Sequence, residues 1–167
     1  MRTTSLVVAT LLAVPMHRSQ AQSDSASHVV NLQGPRVGVT ALLGHVADKV
    51  QRDAKAGPLL VQFGWQQEQR MWRSPSGTEL LWEGVVLIGG VEQNTFLPSL
   101  SMMMGIRSKD GMEVGFGPNL SLEGVAYAFA VGATHRVGEL NVPLNVAIVP
   151  NKDGVRLSFL TGFNVRM

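Results

Sequence analysis

Cysteine is absent from this 167-residue chain. No disulfide framework can form, and no cysteine stands near the N-terminus to carry a lipoprotein anchor. Charge is also scarce. Asp, Glu, Lys and Arg make up 16% of the residues, against about 25% in a typical soluble domain. Aromatics are thin, with one tyrosine and three tryptophans. Past the first two dozen residues there is no long apolar run, which argues against a helical membrane protein. Low charge without long apolar runs suits a sheet that is wetted over only a small part of its surface.

The N-terminus reads as a targeting segment. Arg2 supplies a positive start, and Leu6 to Val14 is an apolar stretch too short to span a bilayer as a helix. Ser19-Gln20-Ala21 places small residues at the two positions a signal peptidase reads, so residues 1–21 are expected to be removed after Ala21. Arg2 and Arg18 account for the whole formal charge of +2, so the mature chain is neutral. A neutral chain offers no electrostatic footprint for nucleic acid.

Residues 22–33 are polar and Ser-rich, and are expected to be a flexible lead-in to one domain over 34–167. From Gly34 onward, short alternating runs are separated by turn residues, the all-β pattern. Eight strands are expected, at Arg36–Leu43, Leu59–Trp72, Thr78–Val91, Phe96–Arg107, Met112–Leu122, Val125–Arg136, Leu140–Val149 and Val155–Met167. One short helix, residues 44–56, follows the first strand. Val46 and Val50 share a face, Asp48 and Arg52 are spaced to pair, and Gly57-Pro58 ends it. That helix suits either a membrane interface or the rim of a barrel. Asp110-Gly111 and Asp153-Gly154 mark tight hairpins. Eight antiparallel strands joined by short turns predict an up-and-down β-barrel.

In the second half each strand has one bulky and one small face. Val125, Tyr127, Phe129, Val131 and Ala133 alternate with Ala126, Ala128, Ala130, Gly132 and Thr134. A water-facing sheet normally carries Lys, Glu, Thr and Arg. A face of Ala and Gly is a poor solvent surface and a good lining for a narrow interior. The bulky face is then free to meet hydrocarbon, provided the sheet closes. Runs of about 11–14 residues also suit a tilted crossing, which needs about 9–11. The competing arrangement is a soluble, lipocalin-like periplasmic barrel that turns its bulky face inward around an apolar ligand.

The chain resembles the small bacterial outer-membrane β-barrel proteins over Gly34 to Met167. Such barrels end in a strand with apolar residues at alternate positions, read by the insertion machinery. Met167, Val165, Phe163, Phe159 and Leu157 match that spacing, with Thr161 the exception. The terminal Met167 stands where those families usually have an aromatic, and aromatic girdles are sparse. The phrases Gln62-Phe63-Gly64-Trp65-Gln66 and Gly117-Pro118-Asn119-Leu120-Ser121 look like those of exported bacterial proteins without an assigned function. The resemblance implies outer-membrane lipid and the barrel-insertion machinery as partners.

No catalytic, cofactor-binding or metal-binding constellation is expected. A rim enzyme acting on lipid would need a histidine brought to a serine and an acid. His28, His45 and His135 are the histidines of the mature chain, and no spacing ties His135 to Ser99, Ser101, Glu83 or Glu113. No His pair or calcium loop occurs. Gln62, Gln66, Gln67, Glu68, Gln69 and Arg70 make the second strand the most polar. With Glu83, Glu113, Arg107, Arg136 and Arg156 they predict either a salt-bridged lumen or a strand extending past the membrane edge. In the run Met102-Met103-Met104, the outer two point with Leu100 and Ile106 and Met103 points the other way.

Overall fold

A computed structural model describes residues 30–138 and 140–166. The expected signal segment, His28 and Met167 lie outside those residues. The strands are β1 (Asn31–Leu43), β2 (Leu59–Arg73), β3 (Glu79–Gly89), β4 (Leu97–Arg107), β5 (Met112–Ser121), β6 (Gly124–Val137), β7 (Leu140–Asn151), β8 (Gly154–Gly162) and β9 (Val165–Arg166). Each pairs antiparallel with its sequence neighbour from β2 to β8, and β1 pairs with both β2 and β8. The sheet is therefore closed. The two-residue β9 continues β8 along β1 after a break at Phe163–Asn164, so the ring has eight strands as expected. β1 begins at Asn31, so the last three residues of the expected lead-in are paired with β2.

The turns follow their residues. Gly77, Gly111 and Gly138 adopt φ of 92°, 85° and 63° at the ends of the β2–β3, β4–β5 and β6–β7 connections. Only glycine enters that region at no steric cost. These three turns and the chain's first and last described residues share one mouth of the barrel. The opposite mouth carries the helix, a 3-10 turn (Val91–Gln93) and the β5–β6 and β7–β8 hairpins.

Helix α1 (His45–Ala54) covers that second mouth. Val46 and Val50 are buried with Leu42, Ala56 and Leu60 in one cluster, so its apolar stripe faces the barrel end and not a membrane interface. Asp48 meets His45 at 3.5 Å and not Arg52, and Lys49 lies 3.7 Å from Asp153 of the β7–β8 turn. The αL residue Lys55 stops the helix before Gly57-Pro58.

The inner face is lopsided. β1 to β4 send in Arg36, Gln62, Gln66, Glu68, Leu81, Glu83, Val85, Leu87, Met103 and Arg107. β5 to β7 send in mostly small residues, Gly115, Gly117, Ala126, Ala128, Ala130, Gly132 and Ala147, beside Glu113, Asn119, Asn145 and Val149. A narrow lumen fills only if long side chains from one wall reach a wall that gives way. Met103 does this, packing with Ala128 and Val149. A Cβ on Gly115 would lie 3.3 Å from its terminal methyl.

Two substitutions separate the faces. Ala128→Leu adds volume to a filled lumen and is expected to cost about 1–3 kcal/mol in denaturant unfolding. Val131→Leu on the outer face is expected to cost less than about 0.5 kcal/mol. Equal effects would contradict the inward packing of Ala128.

Candidate functional site

Polar residues are concentrated inside the ring. Arg36, Glu68 and Glu83 are 1–2% exposed, whereas Phe116, Tyr127 and Phe129 on the outer face are 51–62% exposed. This inverts the usual protein, in which charges lie outside and rings inside. Each inward charge must then find its partner within the lumen.

The densest cluster lies toward the mouth that holds the first and last described residues. Arg107 on β4 donates through Nη1 and Nη2 to the two oxygens of Glu68 on β2, both at 2.6 Å. Its Nε reaches Glu113 Oε2 on β5 at 2.8 Å. One guanidinium thus bridges two carboxylates from strands on either side of it, the geometry its planar fork favours. Below it, Gln66 Nε2 donates to Glu83 Oε2 at 3.0 Å, and Gln66 Oε1 accepts from Arg36 Nε at 2.9 Å. Arg36 Nη2 ends the chain on Asn164 Oδ1 at 2.7 Å, at the β8–β9 break. Asn164, at the break, keeps the inward side of the alternation and so meets a buried cation.

A second network fills the middle of the lumen. Thr40 Oγ1 lies 2.6 Å from both Gln62 Oε1 and Ser158 Oγ. Asn119 Nδ2 donates to Ser99 and Ser101, and its Oδ1 accepts a short bond from Arg156 Nη2. Arg156 also lies 3.8 Å from Glu123 near the helix-covered mouth.

Sequence reasoning left two readings for the polar second strand, and its inward residues join a salt-bridged lumen. Gln62, Gln66, Glu68 and Arg70 point inward, while Gln67 and Gln69 are exposed on the outer face between Trp65 and Met71. Glu83, Glu113 and Arg107 join the lumen, Arg156 joins its other end, and Arg136 stands exposed at the rim. Met103 is the inward methionine of its run.

The residues weighed for a rim enzyme are not brought together. His135 is exposed on the outer face of β6, opposite Val142, whereas Ser99, Ser101, Glu83 and Glu113 all face the lumen. His45 is exposed on the helix. Glu68, Glu83 and Glu113 do gather, with carboxylate oxygens within 4.8 Å of one another. Linear spacing hides this group because it is built by three strands in register. Two of the three are already held by Arg107, which takes the place a cation would occupy.

Within the lumen the cavities are small, about 50 Å³ beside Met103 and about 100 Å³ beneath α1. The mouth holding the first and last described residues is open instead, a vestibule of about 810 Å³ floored by the Arg107–Glu68 pair.

No protein-family model matches the chain, and no curated protein matches it. A solved structure described as "De novo design of transmembrane beta-barrels" is 14% identical, with a TM-score of 0.48 over 82% of this chain and 95% of that one. A likeness that distant bears on neither activity nor location.

The buried bridge gives a sharp mutational expectation. Arg107→Met strands two buried carboxylates and is expected to cost about 3–5 kcal/mol in denaturant unfolding, with Glu68→Gln and Glu113→Gln added on the same chain recovering most of it. A single-variant loss below about 1 kcal/mol would contradict a buried, mutually dependent cluster.

Proposed function

We propose that this chain is a non-enzymatic β-barrel of the bacterial outer membrane with a structural or interaction role. The observation that carries the proposal is the outer face. Val37, Val39, Phe63, Val86, Leu100, Met104, Phe116, Phe129, Val146 and Phe159 are exposed on consecutive strands around the ring. Apolar surface on that scale marks contact with a membrane or with protein. A closed ring is the one sheet form whose backbone groups are all satisfied in lipid.

The dimensions agree. From Met112 to Leu122 the outer face of β5 is apolar. About ten steps at ~3.3 Å, tilted by about 40°, rise ~25 Å along the axis, the height of the apolar band of such barrels. Among the described residues no helix is long and apolar enough to cross a membrane, which leaves strands as the crossing elements in this reading. Export by the N-terminal segment and insertion through the C-terminal strand complete the proposal. Phe163 and Val165 of that strand face outward, as do Leu157 and Phe159.

A soluble periplasmic barrel binding an apolar ligand is the competing class. Such a ligand needs a largely apolar pocket of about 300–1,000 Å³. The lumen instead holds charged and amide side chains around cavities of about 50 and 100 Å³.

After cell lysis the protein is expected in the outer-membrane fraction, with gel mobility that changes on heating. Phe129→Arg, in mid-belt, is expected to cost about 2–4 kcal/mol of folding free energy in lipid vesicles, and Leu122→Arg, at the belt edge, about 0–1 kcal/mol. Recovery in the aqueous fraction, with Phe129→Arg leaving folding unchanged, would sink the membrane reading.

A further inference from the structure

We propose that the open vestibule is a binding site for a small polyanion bearing phosphate groups. Six cationic side chains line it, Arg70, Arg73, Arg107, Lys109, Arg136 and Arg166, against the two carboxylates of Glu68 and Glu79. Arg107 is spent on Glu68 and Glu113, and Arg70 lies 2.8 Å from Glu79. With Glu113 counted beside Glu68 and Glu79, the six cations exceed these carboxylates by three, and Arg73, Lys109, Arg136 and Arg166 are the four neither held by Glu68 or Glu113 nor closest to Glu79. Arg73 stands 3.7 Å from the same Glu79 and is more than half exposed. Arg136 gives its Nε to the Gly138 carbonyl, and Lys109 and Arg166 make no ion pair among the described residues. Asp110 adjoins Lys109 in its turn without pairing with it.

Their placement around the ring matters more than their number. Arg73 ends β2, Lys109 sits in the β4–β5 turn, Arg136 is near the end of β6, and Arg166 is on β9 beside β1. Successive members are about two strands apart in a ring of eight, so each quarter of the mouth contributes one positive charge. A ligand at the centre meets cations from all sides, and low-dielectric walls focus that field. Three of the four are arginines, whose planar donors match phosphate oxygens in pairs. The volume, about 810 Å³, is that of a small-molecule site.

The opposite mouth has no such excess. There Lys49 lies 3.7 Å from Asp153 and Arg156 lies 3.8 Å from Glu123. Helix α1 covers that end with Val46 and Val50. The positive ring is thus a property of one mouth, and it borders the edge of the apolar belt. Phosphate can reach it from a lipid headgroup or from a soluble phosphate ester.

The site is tested on the full chain folded in non-ionic detergent, which carries no phosphate. Calorimetric titration with inorganic tripolyphosphate is expected to show saturable binding of one ligand per chain. Arg136→Gln with Arg166→Gln is expected to weaken it by about tenfold or more, the scale of removing two close charges. Lys49→Gln with Lys152→Gln, at the other mouth, is expected to leave it unchanged. All three forms are first checked for heat-modifiable mobility. Adding phosphatidic acid to the micelles then sorts the source: competition points to a headgroup, and lack of competition to a soluble ester, both consistent with the site. Absence of saturable tripolyphosphate binding, or equal weakening by both double variants, would overturn it. This outcome is independent of where the barrel resides, since micelles replace the membrane.

Discussion

A sheet that pairs its first strand with its last has no free edge, and that closure sets the terms for the rest of this molecule. β1 is hydrogen-bonded to β2 on one side and to β8 and β9 on the other. Closure satisfies the backbone without water, so the outer face can be apolar throughout. It also confines the inner face of eight strands to a thin axis that side chains must fill. The outer face is chosen by its surroundings, and the inner face by packing and by mutual satisfaction of polar groups.

The ionic cluster is where that satisfaction becomes specific. Glu68, Arg107 and Glu113 come from β2, β4 and β5, and Glu83 from β3 between them. A slip of one residue in any of these pairings would turn a charge outward into the apolar belt. The cluster therefore penalises wrong registers heavily, whatever its net contribution to stability, which for buried ion pairs is often small. The same logic applies to Arg36 and Asn164, which tie β1 to the break between β8 and β9.

Much of this was legible in the sequence because period-two alternation is local. The faces of β5 to β8, the hairpins at Gly111 and Gly154, and the inward turn of Met103 all follow from spacing. The number of strands followed from turn residues. The helix was legible as an element, but not its seat, because Val46 and Val50 look the same against a lipid interface or a barrel mouth. The polar second strand was ambiguous because Gln66 and Gln67 are chemically alike and only closure decides which of them is inside. A salt-bridged lumen of these residues was one of two readings, but the pairing of Arg107 with Glu68 and Glu113 could not be read, since it joins residues up to 39 apart whose meeting depends on shear. The break at Phe163–Asn164 was also hidden, because the alternation runs through it undisturbed.

The outward orientation of the large apolar side chains is most directly tested with one tryptophan. Trp65 is 48% exposed on the outer face. A variant with Trp72→Phe and Trp82→Phe keeps Trp65 and Tyr127 as its reporters, and Trp65 can be excited alone at long wavelength. In vesicles made with brominated acyl chains, its fluorescence is expected to be strongly quenched, and aqueous iodide to have little effect. Quenching by iodide with no response to the brominated chains would place that face in water and contradict the orientation on which the proposed membrane role rests.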